Sequence, residues 1–81
     1  MNLQDRGWYL LPDGTRVQAR RSRIPPPCWL LVSADGKTPL YGFFAFGSCH
    51  WEAAEGGYRM LFCDLTPDDL LPDHDGDTAQ S

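Results

Sequence analysis

Apolar residues fall along this chain in short runs, and the runs end at corners rich in proline, aspartate and glycine. Trp8-Tyr9-Leu10-Leu11 leads into Pro12-Asp13-Gly14-Thr15, and Trp29-Leu30-Leu31-Val32-Ser33 leads into Ala34-Asp35-Gly36-Lys37. The same order occurs twice: a tryptophan, an apolar run, an Asp-Gly corner, then further strand-like sequence. Aspartate hydrogen-bonds the backbone of such a corner and glycine accepts its positive φ. The repeat therefore predicts two consecutive β-hairpins.

The remaining elements follow from period and punctuation. Residues 7–11 and 15–21 form the first pair of strands. In the second of these, Val17, Ala19 and Arg21 alternate with Arg16, Gln18 and Arg20, the pattern of a half-exposed strand. Residues 22–27 end in three prolines and form an extended linker. Residues 28–33 are apolar on both faces, which predicts a central strand. Residues 40–46 form a fourth strand, with Gly42 marking a bend or bulge. Residues 47–57 are expected to be a loop with one helical turn around Trp51, ended by Gly56-Gly57. Residues 58–65 form a fifth strand. Thr66 then caps a single helical turn with Pro67 at its first position and Asp68 and Asp69 in its first turn. Leu70 and Leu71 are placed to plug an open end of the fold.

These elements predict a mostly β fold: a small five-stranded antiparallel SH3-like, partly open barrel, or a twisted sheet, with one C-terminal helical turn. Residues 1–71 make the single domain and 72–81 an acidic disordered tail. At 81 residues the chain is one domain, and a domain of that size buries only about 60% of its unfolded surface, so its core is small. Three Trp, three Tyr and four Phe are too many for a disordered chain. The polar N-terminus lacks the apolar segment of a secretory signal, and no apolar stretch reaches the roughly 20 residues of a membrane span. A cytoplasmic protein is the expectation. Three cysteines, an odd count, do not make a disulfide framework.

The net charge of −4 is unevenly spread. Arg16, Arg20, Arg21 and Arg23 cluster in the first half, and the second half is acidic. Arg16 and Arg20 share one strand face, as in small barrels that bind nucleic acid, but the acidic balance weighs against a phosphate footprint. Glu52, Glu55, Asp64, Asp68 and Asp69 allow another reading. An acidic phage-type inhibitor places carboxylates where a basic groove of a nucleic-acid-handling host enzyme expects phosphates.

Candidate chemistry is sparse. Cys28, Cys49, His50 and Cys63 make a Cys₃His inventory without the short knuckle spacing of structural zinc sites. Asp73-His74-Asp75-Gly76-Asp77 has alternating acids but not the glycine and glutamate positions of a calcium loop. His50 directly follows Cys49, and there is no nucleophile elbow or phosphate-cradling glycine loop. The expectation is no enzyme, no cofactor and no metal.

The ten aromatics carry more information. Trp8, Trp29, Phe44, Phe46, Met60 and Phe62 are expected in the core. Tyr9, Tyr41, Phe43, Trp51 and Tyr58 include the candidates for an exposed patch, foremost Trp51, Tyr41, Phe43 and Tyr58, with Glu52 and Glu55 on its rim. Trp51 has an alternative role as a lid over the core. Trp and Tyr dominate binding hot spots because they bury large areas at low rotamer entropy. The expected function is a non-enzymatic protein-binding or regulatory module. Its partner is a protein, or a second copy joined through a sheet edge such as the fourth strand.

Overall fold

Both Asp-Gly corners close as their side-chain chemistry dictates. Gly14 and Gly36 adopt φ of 91° and 75°. Their N–H groups donate to the carbonyls of Leu11 and Ser33 at 2.8 Å. Asp13 Oδ1 accepts the backbone N–H of Thr15, and Asp35 Oδ1 that of Lys37, each at 2.9 Å. Ser33 Oγ donates to Asp35 as well. These bonds favour ionised carboxylates. The Thr15 amide holds the Asp13 pKa below its ordinary 3.8, and the Ser33 hydroxyl, followed by the Lys37 amide, does the same for Asp35. A depressed folded-state pKa stabilises above the unfolded value and ceases to do so as pH falls through the folded value. Both carboxyls should therefore titrate below 3.8 in NMR, and the Asp13→Asn/Asp35→Asn double variant should lose less stability between pH 5 and pH 2 than the unmodified chain. Equal acid sensitivity would contradict this account of the corners.

A computed structural model describes residues 3–23 and 28–73. They form β1 (Trp8–Leu10), β2 (Arg16–Arg21), β3 (Trp29–Ser33), β4 (Pro39–Phe44), β5 (Gly47–Ala54) and β6 (Gly57–Cys63). A 3₁₀ turn (Pro67–Asp69) and β7 (Leu71–Pro72) follow. All lie in one antiparallel sheet of order β6-β5-β4-β3-β2-β1-β7. The mostly β architecture matches expectation, but the sheet has seven strands and is open. β6 and β7 lie at opposite edges, so no barrel closes.

Two further corrections concern the middle of the chain. Residues 47–57 are a strand and its turn, not a loop. The fourth strand, expected as a sheet edge, lies between β3 and β5. The linker's Ile24 and its prolines lie outside the described residues, as do positions 74–81 of the acidic tail. Pro72, placed at the start of that tail, pairs with Tyr9 in the sheet, and Asp73 is buried.

Opposed residues of an antiparallel ladder share a face. Val17 and Ala19 on β2 and Leu31 on β3 therefore stand on one face, with Tyr9 of β1 opposite Val17. With Leu11 and Leu70 they form the buried core, against which Leu3, Trp29, Leu40, Tyr41, Phe43 and Leu65 pack. A bulge between Leu31 and Val32 shifts the β3–β4 register.

The segment between β6 and β7 constrains the shape of this open sheet. It must carry the chain from one sheet edge to the other, about 29 Å across a flat seven-stranded sheet. The eight Cα-to-Cα steps from Cys63 to Leu71 reach roughly 26–29 Å when extended, and a 3₁₀ turn shortens that reach. The sheet must therefore curl, and the segment straps its core face, laying Leu65 and Leu70 on the core. Asp69 Oδ2 accepts the Thr66 N–H at 2.9 Å and fixes the turn. Beyond it, the Asp73 N–H donates to the Trp8 carbonyl at 3.1 Å. The Asp73 carboxylate accepts Arg16 Nε at 2.6 Å. No helix among the described residues is long and apolar enough to cross a membrane.

Candidate functional site

The outer hairpin presents the functional candidate. Two-residue turns, Ala45-Phe46 and Glu55-Gly56, join β4 to β5 and β5 to β6. Gly56 has φ of 82°, a conformation that other L residues resist. Tight turns lock the register, so the faces can be counted. Gly42 opposes Cys49, which opposes Phe62; Trp51 opposes Met60; Ala53 opposes Tyr58. These residues, with Phe44, share the face opposite the core. Not one carries a charge.

The rings on this face form a continuous chain. Phe46 stacks on Phe44 with centroids 5.0 Å apart and planes within 4°. It meets Phe62 edge-on at 6.0 Å. Phe44 in turn meets Trp51 edge-on at 6.0 Å. Offset stacks and T-shaped contacts satisfy the ring quadrupoles. Gly42 makes the arrangement possible, because the rings of Phe44 and Trp51 lie directly over its backbone. Cys49, flanked by Gly42 and Phe62, is 1% exposed. Burial, with a smaller contribution from nearby Cys63, pushes its thiol pKa up and keeps it un-ionised.

The outer layer of this cluster faces solvent. Phe62 is 73% exposed, Phe46 63%, Tyr58 55% and Met60 47%. The sequence expectation puts three of these four, Phe46, Met60 and Phe62, in the core, because it takes residues 47–57 as a loop. Once Ser48-Cys49-His50-Trp51-Glu52-Ala53 is taken as a strand, its polar-apolar alternation puts Cys49, Trp51 and Ala53 on one face. That alternation, between two short turns, is the signal that finds the patch.

The candidate residues named from sequence divide between the two faces. Trp51 and Tyr58 stand on the outer face. Trp51 is half-buried beneath its neighbours and Tyr58 is open. Tyr41 and Phe43 stand on the core face and pack against the core, and Tyr9, also grouped with the exposed aromatics, is part of that core. Tyr41 is also tilted toward His50, at 6.1 Å. Glu52, on that face too, pairs with Arg59 across the hairpin. Glu55 occupies the exposed turn at the hairpin tip.

The arginines also separate. Arg16 and Arg20 share the outer face with Gln18, as the alternation predicts, and Arg20 Nε donates to Gln18 Oε1 at 3.0 Å. Arg16 is engaged twice: it pairs with Asp73 and its guanidinium lies 4.1 Å from the centroid of the Trp8 ring. Arg21 opposes Trp29 and belongs to the core face; its backbone N–H donates to Asp5. Arg23 is exposed. Among the described residues, no group of His, Cys, Asp and Glu side chains could hold a metal ion. His74 and its acidic neighbours 75 and 77 lie outside the described residues.

No family model, curated protein or solved structure matches the chain.

Proposed function

We propose that this chain is a non-catalytic protein-binding module whose docking surface is the uncharged outer face of β5 and β6. The observation that carries the reading is the exposure of Phe46, Tyr58, Met60 and Phe62 side by side, over a supporting layer of Phe44 and Trp51. Contiguous apolar surface of this kind is costly to leave in water, and it marks interaction sites. Aromatic rings and methionine are also enriched at the centres of protein interfaces. The rings are braced by one another, so little rotamer entropy remains to be lost on docking. The partner is an apolar protein surface, with Glu55 at the hairpin tip favouring basic groups at its margin.

A second reading has one observation in its favour. Arg16 and Arg20 share this face with the rings, and single-stranded nucleic acid binds platforms that combine base-stacking aromatics with arginine. The inhibitor reading has less to draw on, because Glu52 is already paired with Arg59 and Asp69 with its own turn.

Affinity capture from native extract, comparing the unmodified chain with Phe46→Ser/Phe62→Ser, tests the first reading. Circular dichroism should show both chains folded. The double variant should lose its specific co-eluting protein, with affinity reduced at least 30-fold, as hot-spot truncation does. Equal retention by both chains would sink the reading. Salt-sensitive binding of a labelled oligonucleotide, abolished by Arg16→Ala/Arg20→Ala, would favour the second. Trp51→Ala is a poorer probe, since Trp51 supports the cluster from below.

A further inference from the structure

Among the described residues, β6 is the only long strand with an unpaired side, and it pairs with β5 alone. The opposite edge of the sheet is blunted, because β7 has two residues and one of them, Pro72, has no N–H to offer. β6 runs seven residues without proline or lysine, and all but Cys63 are exposed. Its one charge, Arg59, is held by Glu52 of the neighbouring strand. Edges of this length are ordinarily protected by charge, proline, a bulge or a covering segment; among the described residues this one has only Arg59, whose charge Glu52 offsets.

The turn that enters β6 decides which backbone groups are open. Glu55-Gly56 is a hydrogen-bonded two-residue turn closed by the pair Ala54 and Gly57. The closing pair of such a turn is hydrogen-bonded, and the ladder alternates from there. Gly57, Arg59, Leu61 and Cys63 thus direct their N–H and C=O toward β5. Tyr58, Met60 and Phe62 direct theirs outward.

We propose that this edge pairs with the same edge of a second copy, antiparallel, with Met60 on the two-fold axis. Met60 is the central residue of β6, so the strand is complementary to itself about that point. Met60 then opposes the partner's Met60, Tyr58 opposes the partner's Phe62, and every outward N–H and C=O of these three residues gains a partner. The register also keeps like charges apart, because Arg59 opposes the partner's Leu61 rather than its own copy. The symmetry is isologous. With the other edge blunted, pairing ends at two chains and makes a closed dimer with the two aromatic faces side by side. The pairing uses backbone groups of the edge and stands whether or not the face binds a partner.

Sedimentation of the unmodified protein should give the mass of two 9.1 kDa chains. Two substitutions at one position separate edge pairing from side-chain stacking. Met60→Pro removes an outward N–H that β5 does not use, as edge prolines do, and should halve the mass. Met60→Ser keeps that N–H and should remain dimeric. Circular dichroism verifies that both variants fold. A second measurement avoids proline altogether: Met60→Cys, in a Cys28→Ser/Cys63→Ser background, should oxidise to a disulfide-linked dimer. Opposed hydrogen-bonded residues have Cα atoms about 5.5 Å apart, within disulfide range. A monomeric unmodified protein at millimolar concentration overturns the proposal. So does loss of the dimer in both Met60→Ser and Met60→Pro, or a dimer that survives Met60→Pro without forming the Met60→Cys cross-link.

Discussion

Leu70→Ala is expected to destabilise the protein by about 2–5 kcal/mol, whereas Leu71→Ala, one residue further, should cost less than about 1 kcal/mol. Leu70 is 1% exposed and belongs to the core; Leu71 is 60% exposed. The strap explains the difference. Leu70 is the point at which the crossing segment enters the core, beside Leu31 and Val17. Removing its side chain leaves a cavity and loosens the approach to β7 and to the Asp73–Arg16 pair. A single core in so short a chain supplies on the order of 5 kcal/mol in total, so most of the stability is at stake. Urea titration followed by tryptophan fluorescence measures it. At a slope of roughly 1 kcal/mol/M, the midpoint should fall by about 2 M or more, or the variant should be unfolded without denaturant. Similar losses for the two leucines would mean that the strap does not carry the core.

Gly42→Ala should be the next most damaging change. A Cβ at this position would lie 2.5 Å from Phe44 Cε2, 2.7 Å from Phe44 Cζ and 2.8 Å from Trp51 Cη2. Real Cβ atoms do not approach carbon so closely, so both rings must lift. Overpacking of this kind costs about 1–3 kcal/mol. Of the displaced rings, Phe44 braces Phe46, so the binding proposed for the outer face should weaken along with stability. Coupling gives the decisive readout. In a Phe44→Ala background the two nearest atoms are gone, and the added methyl should cost at least about 0.5 kcal/mol less than in the unmodified chain. Additive losses would show that the rings do not rest on Gly42.

Much of the inner sheet was legible because its determinants are local. Asp13 and Asp35 bond to amides two residues away, and Gly14 and Gly36 take the conformation the corner needs, so both hairpins follow from short stretches of sequence. The alternation of Val17 and Ala19 with Gln18 and Arg20 correctly assigned the faces of β2. The single turn capped at Thr66 and the burial of Leu70 were legible for the same reason, but Leu71, expected beside it in the plug, is exposed.

The outer hairpin was less legible because its signals compete. Gly47 and Gly56-Gly57 bracket a stretch with polar Ser48, His50 and Glu52, which reads as a loop unless its period of two is counted. Without β5 the side chains of its neighbours have no register, and hydrophobicity alone assigns Phe46, Met60 and Phe62 to the core and leaves Tyr41 and Phe43 for the surface. The open sheet was harder still, because closure depends on where residues 64–70 travel. That path is decided by Leu65 and Leu70 finding a core built from residues far earlier in the chain.

The crossing strap also has a consequence for folding. From β1 through β6 every strand pairs with its immediate predecessor, so the meander needs only neighbouring contacts to zip up. Its greasy side stays uncapped until Leu65 and Leu70 cross over it. A chain that pairs its strands first therefore passes through a stage with six strands in register and its interior still wet.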